Sequence, residues 1–190
     1  MENAIRTFIA IEANGIMRQE LCNIQTLFKK QFSGNISWVK PENIHLTLRF
    51  LGHIQETQLE QIKKVITAIA KDTKKFTMDL GVFGVFPDTL NPHVLWVGIN
   101  FGFDQLNSIN AQIEEKLETI NFGVGEKFFH PHFTLARIKK VDNKKTLEIL
   151  LKTSRPKESF SNVDKISMFK SEITPQGAVY TKIFEEELAS

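Results

Sequence analysis

NIHLTLRFLG, residues 43–52, and HPHFTLARI, residues 130–138, carry one four-residue pattern twice: His-x-Thr-Leu stands at 45–48 and again at 132–135. With only five histidines in the chain, composition alone does not account for two of them at such equivalent positions. Both copies lie in runs rich in Ile, Leu and Phe that read as β-strands. Side chains alternate across a strand, so His45 and Thr47 leave one face together, as do His132 and Thr134. Leu46, Leu48, Phe133 and Leu135 then point the other way, into a packed layer. A polar pair backed by an apolar pair describes the floor of a groove. Two copies, one in each half of the chain, describe a groove shared by two similar halves.

The rest of the chain supplies what such halves need. Apolar residues spaced three and four apart predict amphipathic helices through Met17, Leu21, Ile24 and Phe28, through Leu59, Ile62, Ile66 and Ile69, and through Leu106, Ile109, Ile113, Leu117 and Ile120. Thr57 with Glu60 reads as a capping box for the second of these. A shorter, more basic helix is expected around 143–153. Strands are expected at RTFIAIE (6–12), FTMDLGVFGVF (76–86), HVLWVGI (93–99), ISMFKSEI (166–173) and AVYTKIFEE (178–186), besides the two motif runs. Strands and helices interleave without a Gly-rich phosphate loop, which excludes the dinucleotide-binding and P-loop fingerprints. No low-complexity stretch or long linker divides the chain.

Composition narrows the function classes. The 190 residues are 42% hydrophobic and 24% charged, as in a folded globular protein. Lys plus Arg number 24 against 22 Asp plus Glu, so net charge gives no case for nucleic acid. Sixteen Phe against one Tyr and two Trp is mostly core filling. Cys22 is the only cysteine, which excludes an internal disulfide, argues against a thiolate zinc site and fits a reducing compartment. The N-terminal MENAIRTFIAIEANG lacks a basic segment followed by a long apolar core, and no run approaches the roughly 18 apolar residues of a membrane span. The expectation is a soluble, cytoplasmic protein with no membrane partner.

Two imidazoles and two hydroxyls converging on one cleft suit a phosphodiester. A neutral imidazole can take a proton from attacking water while a protonated one supplies a proton to the leaving oxygen. Threonine hydroxyls can donate to the non-bridging oxygens, where charge accumulates. Neighbouring imidazoles also titrate at separate apparent pKa values, as the two roles require. A single His on a strand is commonly structural and Thr is a good strand former; it is the second copy that weighs against that reading. His130 and His132 with His45 are a candidate metal set, although neither motif contains an Asp or Glu to orient the rings.

The two motifs resemble those of the 2H phosphoesterase superfamily, in its RNA 2′,3′-cyclic phosphodiesterase (2′-5′ RNA ligase-like) branch. RTFIAIE is similar to the opening strand of that family, WVKPENIHLTLRFLG (38–52) to its first motif, FFHPHFTLARI (128–138) to its second and SEITPQGAVYTKI (171–183) to its closing hairpin. The resemblance implies one domain over 1–190 with a bilobal α+β fold, two pseudo-symmetric antiparallel sheets flanked by helices around a central groove. It implies cofactor-free, metal-independent hydrolysis of RNA ends bearing a 2′,3′-cyclic phosphate, tRNA fragments among them, to 2′-phosphomonoesters. No obligate protein partner is evident. It assigns His45 as proton donor and His132 as acceptor, roles that the residues themselves leave open. The rival readings are 2′-5′ RNA ligation, a phosphodiesterase of small cyclic nucleotides, and a non-catalytic RNA-binding module.

Substrate contacts are expected from Thr47, Thr134, Arg137 and Phe8. Arg137 is the family's phosphate-holding arginine, five residues after the second histidine. Strict alternation puts it on the face opposite His132, so it reaches the groove only if the strand bends or bulges near Ala136. Arg49 has the parity of His45. Phe8 and Trp38 are candidates to stack on a nucleobase, with core filling the alternative for Phe8. His53 and His93 read as strand-end polar residues, and Pro131 disturbs the pairing of His130. Arg137, Lys139, Lys140, Lys144, Lys145, Lys152, Arg155 and Lys157, against Asp142 and Glu148 alone, form either a solvated face or a rim for a phosphate backbone.

Overall fold

The computed structural model describes residues 4–123, 125, 128–175 and 177–190. In chain order the elements are β1 (Ala4–Glu12), α1 (Gly15–Gln31), β2 (Gly34–Trp38), a 3-10 turn (Pro41–Asn43), β3 (His45–Gln55), α2 (Glu56–Asp72), β4 (Phe76–Met78), β5 (Leu80–Phe86), β6 (Val94–Ile99), α3 (Phe103–Thr119), β7 (His132–Val141), α4 (Lys144–Thr153), β8 (Ser161–Val163), β9 (Lys165–Thr174) and β10 (Gly177–Glu187). Helices α1, α2 and α3 fall where apolar spacing places them and α4 where the shorter basic helix is expected; their apolar rows are buried, Leu59 and Ile120 only in part. Asn14 starts α1 by accepting from the Met17 N–H at 2.9 Å. The Thr57–Glu60 box does not form. Strand β3 runs directly into α2, so the helix begins at Glu56 and the Gln55 N–H donates to Gln58 Oε1 at 2.9 Å.

All pairings in the large sheet are antiparallel, in the order β10-β9-β1-β3-β7-β6-β5, with β2 also paired to β7. The two halves meet at a single pair, Leu46 opposite Phe133, the centres of the two motifs. The expected strand 76–86 divides at Asp79, whose N–H and C=O turn aside to Phe101 and Asn100. Its first part, β4, pairs with β8 in a separate small sheet.

The helices cover one face, and two of them, α1 and α3, change sides as they do so. Helix α1 follows β1 of the first half yet packs behind the second, with Phe28 edge-on to Phe83 of β5 at 5.1 Å. Helix α3 follows β6 of the second half yet packs with α2 behind β3, while α4 packs against β5. One continuous core results, in which Ile9, Ile11, Leu46, Leu48, Phe133 and Leu135 meet the helix rows. The opposite face of the first half carries a small cluster of Phe8, Ala10, Phe169 and Tyr180. Among the described residues no helix is long and apolar enough to cross a membrane.

Candidate active site

Both motif strands depart from alternation at the same place. Against β1, Thr47 pairs with Ala10 and Arg49 with Ile9, leaving Leu48 unpaired. Against β6, Thr134 pairs with Trp96 and Ala136 with Leu95, leaving Leu135 unpaired. Each is a β-bulge. The bulged leucines stay in the core, and a helix amide takes each carbonyl: Asn110 of α3 donates to Leu48 O and Gln25 of α1 to Leu135 O, both at 2.8 Å. The inserted residue reverses the parity of the residues that directly follow it, so the fifth residue after each histidine returns to the groove face. Those residues are Phe50, 46% exposed, and Arg137, also exposed.

Arg137 thus meets its condition through the bulge and lines a cavity with Phe8, Phe50 and Tyr180. Arg49, the arginine that simple parity favours, is held by Glu114 of α3, Nε to Oε1 at 2.9 Å, and by Gly123 O. Phe50 was not singled out by sequence reasoning. The shared spacing from the motif histidine to Phe50 and to Arg137 is the signal that would have found it.

Each imidazole is fixed by its own chain. His45 Nδ1 lies 2.8 Å from Asn43 O and His132 Nδ1 lies 2.6 Å from His130 O, two residues back in both cases. A carbonyl only accepts, so Nδ1 carries a hydrogen and Nε2 is the nitrogen that can give or take a proton. His45 is stacked on Phe8 (centroids 4.5 Å, 23° between planes) and met edge-on by Tyr180 at 5.2 Å. Burial pushes its pKa down from 6.5 to about 4, with the Asn43 carbonyl and Glu12 opposing and the charge of His132 adding to the fall. Glu12, its register partner, is itself held by Lys182 at 2.6 Å. His132 is met edge-on by Phe86 at 5.1 Å.

The antiparallel register about Leu46–Phe133 brings Thr47 beside His132 and Thr134 beside His45. Both threonines are half-buried, and neither hydroxyl makes a hydrogen bond among the described residues. Two cavities flank the pair and share Phe50. One, about 300 Å³, adjoins His132 and is walled by Phe86, Phe128, Phe129 and His130. The other, about 360 Å³, lies on the His45 side between Arg6, Phe8, Arg137 and Tyr180.

The other expected residues are held by their surroundings or lie away from the groove. Phe8 is 2% exposed, so its ring supports His45 and is not free to stack on a base. Trp38 packs on the core beside Phe32 and under Lys29. His93 Nε2 meets the side-chain amide of Asn91, and His53 lies on the surface at the far end of β3. His130 is pressed onto Trp96 at 4.6 Å, and burial lowers its pKa. Among the described residues no three of His, Cys, Asp and Glu converge as a metal ligand set would. The basic stretch is not one rim: Arg137 reaches the groove-side cavity, whereas α4, with Lys144, Lys145 and Lys152, packs on the helix side of the sheet.

A family model described as LigT like phosphoesterase matches residues 13–96 and 100–180. The chain belongs to this family. LigT-like phosphoesterases similar to it include an RNA 2′,3′-cyclic phosphodiesterase of Aquifex aeolicus, 35% identical over 153 residues that cover 78% of this chain and 79% of the relative. One of the same name from Thermotoga maritima is 30% identical over 182 residues, covering 95% and 94%. Among solved structures, a protein of Thermus thermophilus superposes with a TM-score of 0.77 at 28% identity, over 97% of this chain and 98% of that one. Apo LigT of Escherichia coli shares the LigT-like fold along the full length of both chains, with a TM-score of 0.76 at 20% identity.

Proposed function

We propose that the protein hydrolyses the 2′,3′-cyclic phosphodiester at the end of an RNA to a 2′-phosphomonoester, by acid–base catalysis without a metal. The observation that carries this is the facing pair of His-x-Thr strands, each imidazole fixed through Nδ1 and each threonine hydroxyl without a hydrogen bond among the described residues. The phosphate sits over the Leu46–Phe133 junction. Thr47 and Thr134 donate to its non-bridging oxygens, and Arg137 supplies a guanidinium suited to phosphate. His132 Nε2 takes a proton as water attacks phosphorus; the bond from phosphorus to the 3′ oxygen breaks, and His45 Nε2 delivers a proton to that oxygen. His45 is the donor by family resemblance. Burial keeps it neutral near pH 7 in the free protein, so it must gain its proton with the substrate. A phosphodiester anion beside the ring favours the imidazolium and does this.

The cavity beside His132 favours a second reaction of the same site. At about 300 Å³ it far exceeds the roughly 30 Å³ of a water molecule. A ribose 5′-hydroxyl entering there in place of water would give a 2′-5′ linkage.

The test is to incubate an oligonucleotide ending in a 2′,3′-cyclic phosphate with the protein in excess EDTA and identify the new end. A 2′-phosphate is expected. A 3′-phosphate would reverse the leaving group, and activity lost to EDTA but restored by zinc or manganese would replace this mechanism with a metal-assisted one.

A further inference from the structure

The cavity on the His45 side is lined by two arginines, Arg6 and Arg137. Neither makes an ion pair or hydrogen bond among the described residues. This is unusual for the sheet around them, where Lys170 is tied to Glu172 at 3.1 Å and Lys182 to Glu12 and Glu185. Arg137 is accounted for by the reacting phosphate; Arg6 is not. Arg6 stands two residues before Phe8 on β1 and shares its face, and it lines the same cavity from β1 while Arg137 does so from β7. Phe8 and Tyr180, which line the same cavity, are the rings that hold His45.

In-line displacement sets which part of the substrate lies here. The nucleophile approaches from the side of the base, His132, and the leaving oxygen departs toward the acid, His45. That oxygen belongs to the terminal ribose, so the ribose and the chain leading into it lie on the His45 side. The next charged group along that chain is the phosphodiester on the terminal 5′ oxygen, one nucleotide before the reacting phosphate. We propose that Arg6 binds this upstream phosphodiester, which makes the site selective for an oligonucleotide end over a cyclic mononucleotide. The assignment rests on the proposed hydrolytic reading for its direction. It goes beyond that reading in naming a second phosphate subsite and the residue that forms it.

Binding and turnover separate the two ideas. The probes are adenosine 2′-monophosphate and the dinucleotide ApA ending in a 2′-phosphate, titrated calorimetrically into the protein and its Arg6→Gln variant. The wild type binds the dinucleotide more tightly, and Arg6→Gln weakens the dinucleotide roughly ten-fold while changing the mononucleotide far less. A dinucleotide whose internal linkage is an uncharged methylphosphonate binds both proteins alike. Equal weakening of both charged probes, or no weakening of the dinucleotide, overturns the assignment. If the wild type shows the expected contrast yet leaves a cyclic-phosphate dinucleotide uncleaved, the hydrolytic reading falls and the Arg6 subsite stands.

Discussion

His45 sits with one ring face on Phe8 and its edge toward Tyr180, surroundings that disfavour charge. Its pKa of about 4, well below the ordinary 6.5, is therefore a property of the free protein. Followed by NMR, the His45 ring should stay neutral down to about pH 4 without ligand and titrate at clearly higher pH once inorganic phosphate is added. A free-protein titration near 6.5 would remove the burial argument. The stability consequence has a definite sign. A lowered folded pKa means the unfolded chain binds the proton more readily, so this contribution is complete above about pH 6.5 and is lost as pH falls through 4. Single residues were only partly legible in advance. His45, Thr47, His132 and Thr134 follow from alternation within two or three residues, a distance over which the rule holds. Arg49 and Arg137 lie beyond the bulges, and the parity argument that favoured the first and set a condition on the second reverses there.

At the scale of the element, the bulge is what aims the groove residues, and Gln25 holds one of the two. It is 3% exposed, and its amide donates to both Val39 O and Leu135 O at 2.8 Å. Leu135 O also accepts from the Val39 N–H, so Gln25→Leu strips the only described partner from Val39 O and one of two from Leu135 O. The orphaned carbonyl should cost about 1–3 kcal/mol in urea unfolding. The loosened bulge should also raise KM for a cyclic-phosphate substrate, because Arg137 depends on it. Stability lost with KM unchanged would mean that the bulge does not position Arg137. Nothing in HFTLARI announces a bulge, since the partner strand and the helix amide that stabilise it lie far away in sequence. Strands β2 and β8 escaped notice for a related reason. Short, and drawn from GNISW and SNV, they take their structure from β7 and β4 and carry no pattern of their own. The helices were legible because burial of one face is written into every turn.

At the scale of the molecule, the chain is two similar halves, with α1 and α3 each packed behind the other half, joined through one core and one backbone pair, Leu46–Phe133. That arrangement makes the two histidines nearly equivalent: each precedes a threonine, each is tied to the carbonyl two residues back, and each strand bulges at the following leucine. Where the halves differ, chemistry can become directional. Phe50 stands where the other half has Arg137, and His45 is enclosed by Phe8 and Tyr180 where His132 adjoins an aromatic cavity. The central claim, which takes its direction from the family resemblance, is the proposal that His45 is the acid and His132 the base. The most direct measurement replaces the 3′ leaving oxygen of the cyclic phosphate with sulfur and compares His45→Ala with His132→Ala. On the oxygen substrate each variant should lose about 10²–10⁴ in rate. A thiolate leaves without being protonated, so His45→Ala should recover most of its loss on the sulfur substrate while His132→Ala stays slow. Recovery by His132→Ala instead would exchange the two roles, and recovery by neither would contradict acid–base catalysis by this pair.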